Sequence, residues 1–324
     1  MGDNMKTKKV FIGSIIIAGV IVILTGVFGY LLDEIILLED RGASWYYWKL
    51  PKKELVPRFT AWFLYFSHQL FIWYGIIKLK KCKKDKSIWN KRLLIGNLVF
   101  ILLHFIQTHL WYDGLAQDVP VMSSQGSVIG MLVIILIMEN NRRGLFLNRK
   151  INGFNNIKKF ILEYHGFYIA WAITYTFWFH PMVRTSGHLF GFFYIFLLFI
   201  QSSFAYTKIH TNKKWIFLLE VLVLFHGTAV AVGQQNNMWP MFAFGFGFLA
   251  VFTQIYSIKL RKHIYYIIQS LYILTALIVF GIGFAEKNIS DIHQITWIPI
   301  IEYLLVFIII LIGEGLFKFI KYRK

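Results

Sequence analysis

Runs of about twenty mostly apolar residues recur along the whole 324-residue chain, and a helix of that length crosses the ~30 Å hydrocarbon layer of a bilayer. This one feature restricts the fold more than any motif does. Inside hydrocarbon every backbone N–H and C=O must be paired within the protein, which leaves helices and closed barrels. The runs are far longer than barrel strands and do not alternate, so the sequence predicts an all-α, polytopic membrane bundle. Ten spans are expected, over 10–32, 59–78, 93–111, 121–138, 160–179, 183–206, 215–232, 239–260, 264–284 and 298–319. They form one transmembrane domain over 1–324, with no appended soluble domain. Composition agrees: 57% of residues are hydrophobic, 19% aromatic and only 15% charged, against roughly a quarter charged in a soluble protein.

The formal net charge of +18 does not point to nucleic acid, because the basic residues sit between the apolar runs and not along a face. They set the orientation instead. With the amino terminus inside, 27 of the 34 Lys and Arg fall in cytoplasmic segments. The outer segments hold only Arg41, Lys49, Lys52, Lys53, Arg58, Arg184 and Lys287. Both termini are therefore expected on the cytoplasmic side. Lys6, Lys8 and Lys9 precede a first run too long for a signal peptide, which predicts an uncleaved span. The longest outer segment carries Trp45, Tyr46, Tyr47 and Trp48, rings that favour the headgroup layer. The lone Cys82 excludes an intrachain disulfide and reads as an incidental thiol in a basic loop.

Ionisable groups within hydrocarbon are either paired or functional. His68, His104 and His226 fall at mid-depth, where they are expected to face other helices and where two of them offer ligands to a single haem. Glu220 falls in the inner half of the seventh span, and His165 lies near the inner face beside Glu163. The outer ends are richer. His109 and Asp113 stand four apart and share a face if the third helix continues that far, with Asp118 following. Pro181 suits the first turn of the sixth helix, which would put His180, Arg184 and His188 on one stripe. This set of His109, Asp113, Asp118, His180, Arg184 and His188 suits general acid–base chemistry on a lipid-borne substrate, and also offers ligands for zinc or another transition metal. The plainer alternative is a group of interfacial side chains bonded to loop backbone. Small residues follow His226 in the seventh span, and Gly126 and Gly130 form a GxxxG pair in the fourth; both are expected to allow close helix packing.

Three functions compete. The outer polar set favours a membrane-embedded enzyme acting on a lipophilic or lipid-linked substrate. The mid-depth histidines favour a haem-binding redox protein. Ten spans also suit a small-molecule transporter, although no internal repeat is visible. Arg58 and His68, ten apart on the second span, depart in spacing and in helix from the pattern of the integral membrane acyltransferases, and no family is assigned.

Overall fold

The computed structural model describes residues 2–39, 49–52, 54–83, 85–235, 237–283 and 287–322, with side chains from Thr7 to Lys321. The expected outer-surface rings Trp45 to Trp48 lie outside the described residues, as do Arg41, Lys53 and Lys84. Among the described residues ten long helices follow one another: α1 Gly2–Phe28, α2 Leu55–Lys81, α3 Ser87–Trp111, α4 Val121–Arg143, α5 Asn155–Phe179, α6 Ser186–Ser203, α7 Lys213–Gly233, α8 Trp239–Phe252, α9 Lys262–Gly281 and α10 Trp297–Tyr322. Helix makes up 80% of the structure, without strands among the described residues. The fold is a polytopic all-α membrane bundle.

Eight of these helices, counting their short 3-10 extensions, are long and apolar enough to cross a membrane. The two that fall short are α2 and α5. They carry the polar and bulky aromatic side chains that pack inside the protein: Tyr65, His68 and Gln69 of α2 are buried, and so is nearly every residue from Ala170 to Phe179 of α5. Their outer faces are still apolar, with Phe63, Phe66 and Leu70 of α2 and Phe160 and Leu162 of α5 exposed, so the lower mean hydropathy comes from the polar and aromatic side chains that face inward.

The chain divides into two compact units. Unit 1 comprises 1–128 and 166–211; unit 2 comprises 129–165 and 212–324. In unit 1, side-chain contacts fix the helix directions. Phe11 meets Phe204 and Gly26 lies beside Leu189, so α1 and α6 run antiparallel. Asn90 donates to the carbonyl of Ser203, and Thr108 Oγ1 accepts from Met182 N at 3.1 Å, so α3 and α6 run antiparallel too. It follows that α1 and α3 are parallel. In unit 2, α8 packs antiparallel to α9 through Phe244 on Phe280 and Tyr256 on Tyr265. A core of Val133, Leu136, Ile137, Ile157, Ile161, Val306 and Ile310 joins α4, α5 and α10 within that unit.

Three local expectations are corrected. The sixth helix does not begin at Pro181. It begins at Ser186, because Thr185 is the N-cap, accepting from His188 N at 3.3 Å, and residues 180–185 are loop. His180, Arg184 and His188 therefore share no helical stripe. The third helix does not continue to Asp113. It stops at Trp111, and Tyr112 turns into the left-handed region at φ 41°, after which Asp113 Oδ1 accepts from Gly114 N at 2.5 Å. Nor is Gly126 a close-packing site, since a Cβ added there would meet nothing within 4 Å. In the seventh helix, Gly227 is the small residue that takes a flat ring, with Phe246 and Phe242 against it, while a Cβ on Gly233 would meet open space.

Candidate functional site

The six side chains expected at the outer ends of the third, fifth and sixth helices all lie in unit 1, but they form separate groups. Asp118 accepts from Arg58 at 2.7 and 3.0 Å and from the indole N–H of Trp62 at 2.9 Å, and Asp113 adds its charge to the same Arg58. Arg184 pairs with Asp33, its stem lying across Gly29, where any Cβ would collide with it. His180 and His188 face each other edge to face at 5.6 Å between ring centroids. His180 Nδ1 donates to the carbonyl of Thr176 at 2.9 Å, and His188 Nδ1 is 2.7 Å from the Thr185 hydroxyl.

His109 stands apart, in the wall of a groove of about 530 Å³ at the end of unit 1 opposite the amino terminus. Leu32, Ile35, Leu50, Pro51 and Trp111 make the groove largely apolar, while Lys52, Glu54, His109 and Tyr112 are its charged or titratable groups. Backbone bonds hold the wall together. Leu50 N donates to the buried Gln117 side chain at 3.0 Å, and Leu38 N donates to Lys49 O at 2.8 Å. His109 Nδ1 lies 2.8 Å from the carbonyl of Phe105. A carbonyl only accepts, so Nδ1 carries the proton, and in the neutral ring Nε2 keeps its lone pair. Nε2 is buried and has no hydrogen-bond partner among the described residues.

Two of the three mid-depth histidines, His68 and His104, belong to a row that reaches this end of unit 1. His68 and His104 are wholly buried, as expected for imidazoles in hydrocarbon. Trp178 Nε1 donates to His68 Nδ1 at 3.2 Å; His68 Nε2 donates to Asn97 Oδ1 at 2.9 Å; Asn97 Nδ2 donates to Ser203 Oγ at 2.9 Å; Ser203 Oγ donates to Phe199 O at 2.7 Å. Each donor and acceptor role is fixed by the next, so His68 is the neutral Nε2–H tautomer with both nitrogens engaged. It has no lone pair left for iron. His104 stacks on Trp178 at 4.3 Å and donates from Nε2 to the carbonyl of His180 at 2.8 Å. His68, Trp178, His104, His180 and His188 are thus one continuous chain of contacts. His226 is a half-buried residue of α7, in unit 2. Among the described residues, no three His, Cys, Asp or Glu side chains stand together as a metal-binding group.

Unit 2 holds a charged cluster that the sequence reading only touched at Glu220. Arg143 of α4 pairs with Glu220 of α7, both buried, and Glu139 pairs with Arg142 one turn away on α4. Arg142 also reaches Ser257 at 3.4 Å. Nearby, Tyr303 donates to Thr253 Oγ1 at 2.6 Å, and Thr253 donates to Leu145 O at 2.6 Å. Glu302 of α10 is buried as well. The fourth helix, expected to end at 138, runs on to Arg143, so Arg142 and Arg143 are helical and not loop cations. The pattern Glu139, Arg142, Arg143 carries the signal, because it continues the helix with an i,i+3 pair. In unit 1 the partners that no sequence pattern marks are Asn97, Ser203, Trp178 and Trp62, and the pairing of Arg58 with Asp118.

Compared with protein-family models, curated proteins and solved structures, the chain matches none. The class that fold and site define is a polytopic helical membrane protein with a largely apolar groove, carrying His109, Lys52 and Glu54, at one end of its first unit.

Proposed function

We propose that the chain is a multi-pass enzyme of the cell membrane that acts on a lipophilic or lipid-linked substrate in the groove beside His109, at the extracytoplasmic face. The carrying observation is the His109 tautomer: Nδ1–H held on Phe105 O leaves the Nε2 lone pair buried and unpartnered in the groove wall. That is the state a general base needs before it takes a proton, and the Phe105 carbonyl then stabilises the imidazolium that results. The apolar wall suits the chain of an amphiphile, and Lys52 suits an anionic headgroup such as a phosphate. The outward placement rests on the charge asymmetry, which puts the ends of α1 and α3 outside. In this reading Asp113, Asp118, Arg184, His180 and His188 anchor the surrounding loops, through Arg58, Trp62, Asp33 and Thr185.

The test compares lipid and lipid-linked glycan extracts, by mass spectrometry, from cells carrying the wild-type chain, His109→Gln or an empty vector. The wild-type chain should convert one species into another, and the variant should abolish the conversion at equal protein abundance. Identical extracts from wild-type and empty-vector cells, or full conversion by His109→Gln, would overturn the proposal.

A further inference from the structure

A second cavity lies in the half of unit 1 nearest the amino terminus, between α1, α3 and α6. It is a cleft of about 310 Å³, almost purely apolar, lined by Gly13 and Ile17 of α1, Leu94 and Leu98 of α3, and Phe199 of α6. All three helices are candidate membrane spans, so the cleft opens into hydrocarbon and not into water. Among the described residues its polar side chains are Ser14 and Asn97, and both are engaged elsewhere: Ser14 donates to Phe11 O of its own helix, and Asn97 is spent on His68 and Ser203. The lining runs along α1 from Val10 to Ile21, roughly 16 Å at 1.5 Å per residue, about half the hydrocarbon thickness. The cleft is therefore as deep as one leaflet.

The charged end identifies the occupant. The parallel arrangement of α1 and α3 brings their amino-terminal ends to the same side. Lys9 directly precedes Val10, the first lining residue of α1, and Lys91 precedes Leu94 and Ile95 of α3 by three and four, so both lysines sit at the amino-terminal edge of the lining on their own helices. Both are exposed. Two cations at the mouth of a leaflet-deep apolar cleft complement a lipid with a negative headgroup. We infer that this cleft binds one acyl chain of an anionic glycerophospholipid, whose phosphate is held between Lys9 and Lys91. The site is distinct from the His109 groove and does not depend on the activity proposed for it.

Gly13 allows a clean test, because a Cβ built there meets nothing within 4 Å: the position faces open cleft, and a larger side chain fills it without a first clash. The full chain is placed in nanodiscs with phosphatidylglycerol or phosphatidylcholine carrying the same diazirine-labelled acyl chain, irradiated, and mapped by mass spectrometry. Labelling of peptides containing Leu98 and Phe199 is expected to be about tenfold stronger with phosphatidylglycerol, from a preference of about 1.4 kcal/mol. Gly13→Leu should abolish it with an unchanged melting curve. The double variant Lys9→Gln/Lys91→Gln, which leaves the cleft walls intact, should reduce phosphatidylglycerol labelling to the phosphatidylcholine level. Equal labelling by the two lipids, undiminished labelling of Gly13→Leu, or covalent links to a second copy of the chain through α1 would each overturn the inference.

Discussion

Arg143 and Glu220 join α4 to α7 through an ion pair whose side chains are only 1% and 3% exposed. An isolated charge in such surroundings is expensive, and the pair survives because each ion is the other's principal partner. Removing one leaves the other buried and uncompensated, a loss of about 3–5 kcal/mol. Arg143→Met and Glu220→Leu should each sharply reduce the folded fraction recovered in detergent. The double variant, which buries no charge, should recover most of that loss. Melting temperatures of the three variants by fluorescence-monitored size exclusion decide it; a double variant worse than both singles would contradict the pairing.

That pair also shows where the sequence was readable. Ten helices lie over the ten expected stretches, and eight of them are long and apolar enough to cross a membrane, because hydrocarbon demands long unbroken runs. The ends were harder to read. Charge is a sound marker of a membrane boundary and so suggests a loop at Arg142 and Arg143, yet the helix continues and the charges turn onto Glu139 and Glu220. The candidate site was legible as a list of polar residues but not as a set of partners. Asp118 finds Arg58 from 60 residues away, and Arg184 finds Asp33 from 151 away, separations that no local pattern encodes. Thr185 was legible in principle: a threonine three residues before His188 is an ordinary cap, and it competes with Pro181 for the start of α6.

The directed chain from Trp178 to Phe199 predicts unequal effects along its length. Asn97→Leu strands the Nε2–H of His68 in an apolar interior and should cost about 1–3 kcal/mol. Trp178→Phe removes a donor but leaves His68 Nδ1 as a buried acceptor, and should cost about 1 kcal/mol. Adding His68→Phe to Asn97→Leu removes the stranded donor and should restore part of the stability. Thermal unfolding in one detergent ranks the three, and a Trp178 variant less stable than Asn97→Leu would refute the assigned roles.

The charge asymmetry predicts the membrane orientation. Reporter fusions after Arg92, Lys150 and Lys262 should read cytoplasmic, and fusions near Gln117 and Asn288 should read external. The alternation depends on α2 and α5 crossing the membrane, although neither is apolar enough to be recognised by composition. An external signal after Lys150 would mean that the alternation fails before α5.

The last prediction separates chemistry from architecture at the outer end of unit 1. Thr185 caps α6 and also bonds the ring of His188, so Thr185→Val should lower stability by about 1 kcal/mol and leave any activity nearly intact. His109 does the reverse. Its one hydrogen bond goes to the carbonyl of Phe105 in its own helix, and an interaction of that kind contributes only about 1 kcal/mol net. A general base contributes 10²–10⁴ in rate, roughly 3–5 kcal/mol of barrier. His109→Gln should therefore fold to the wild-type level and lose conversion of the lipid-linked species by at least a hundredfold. If Thr185→Val loses conversion while His109→Gln keeps it, the reacting group sits with His180 and His188, and the groove beside His109 is not the site.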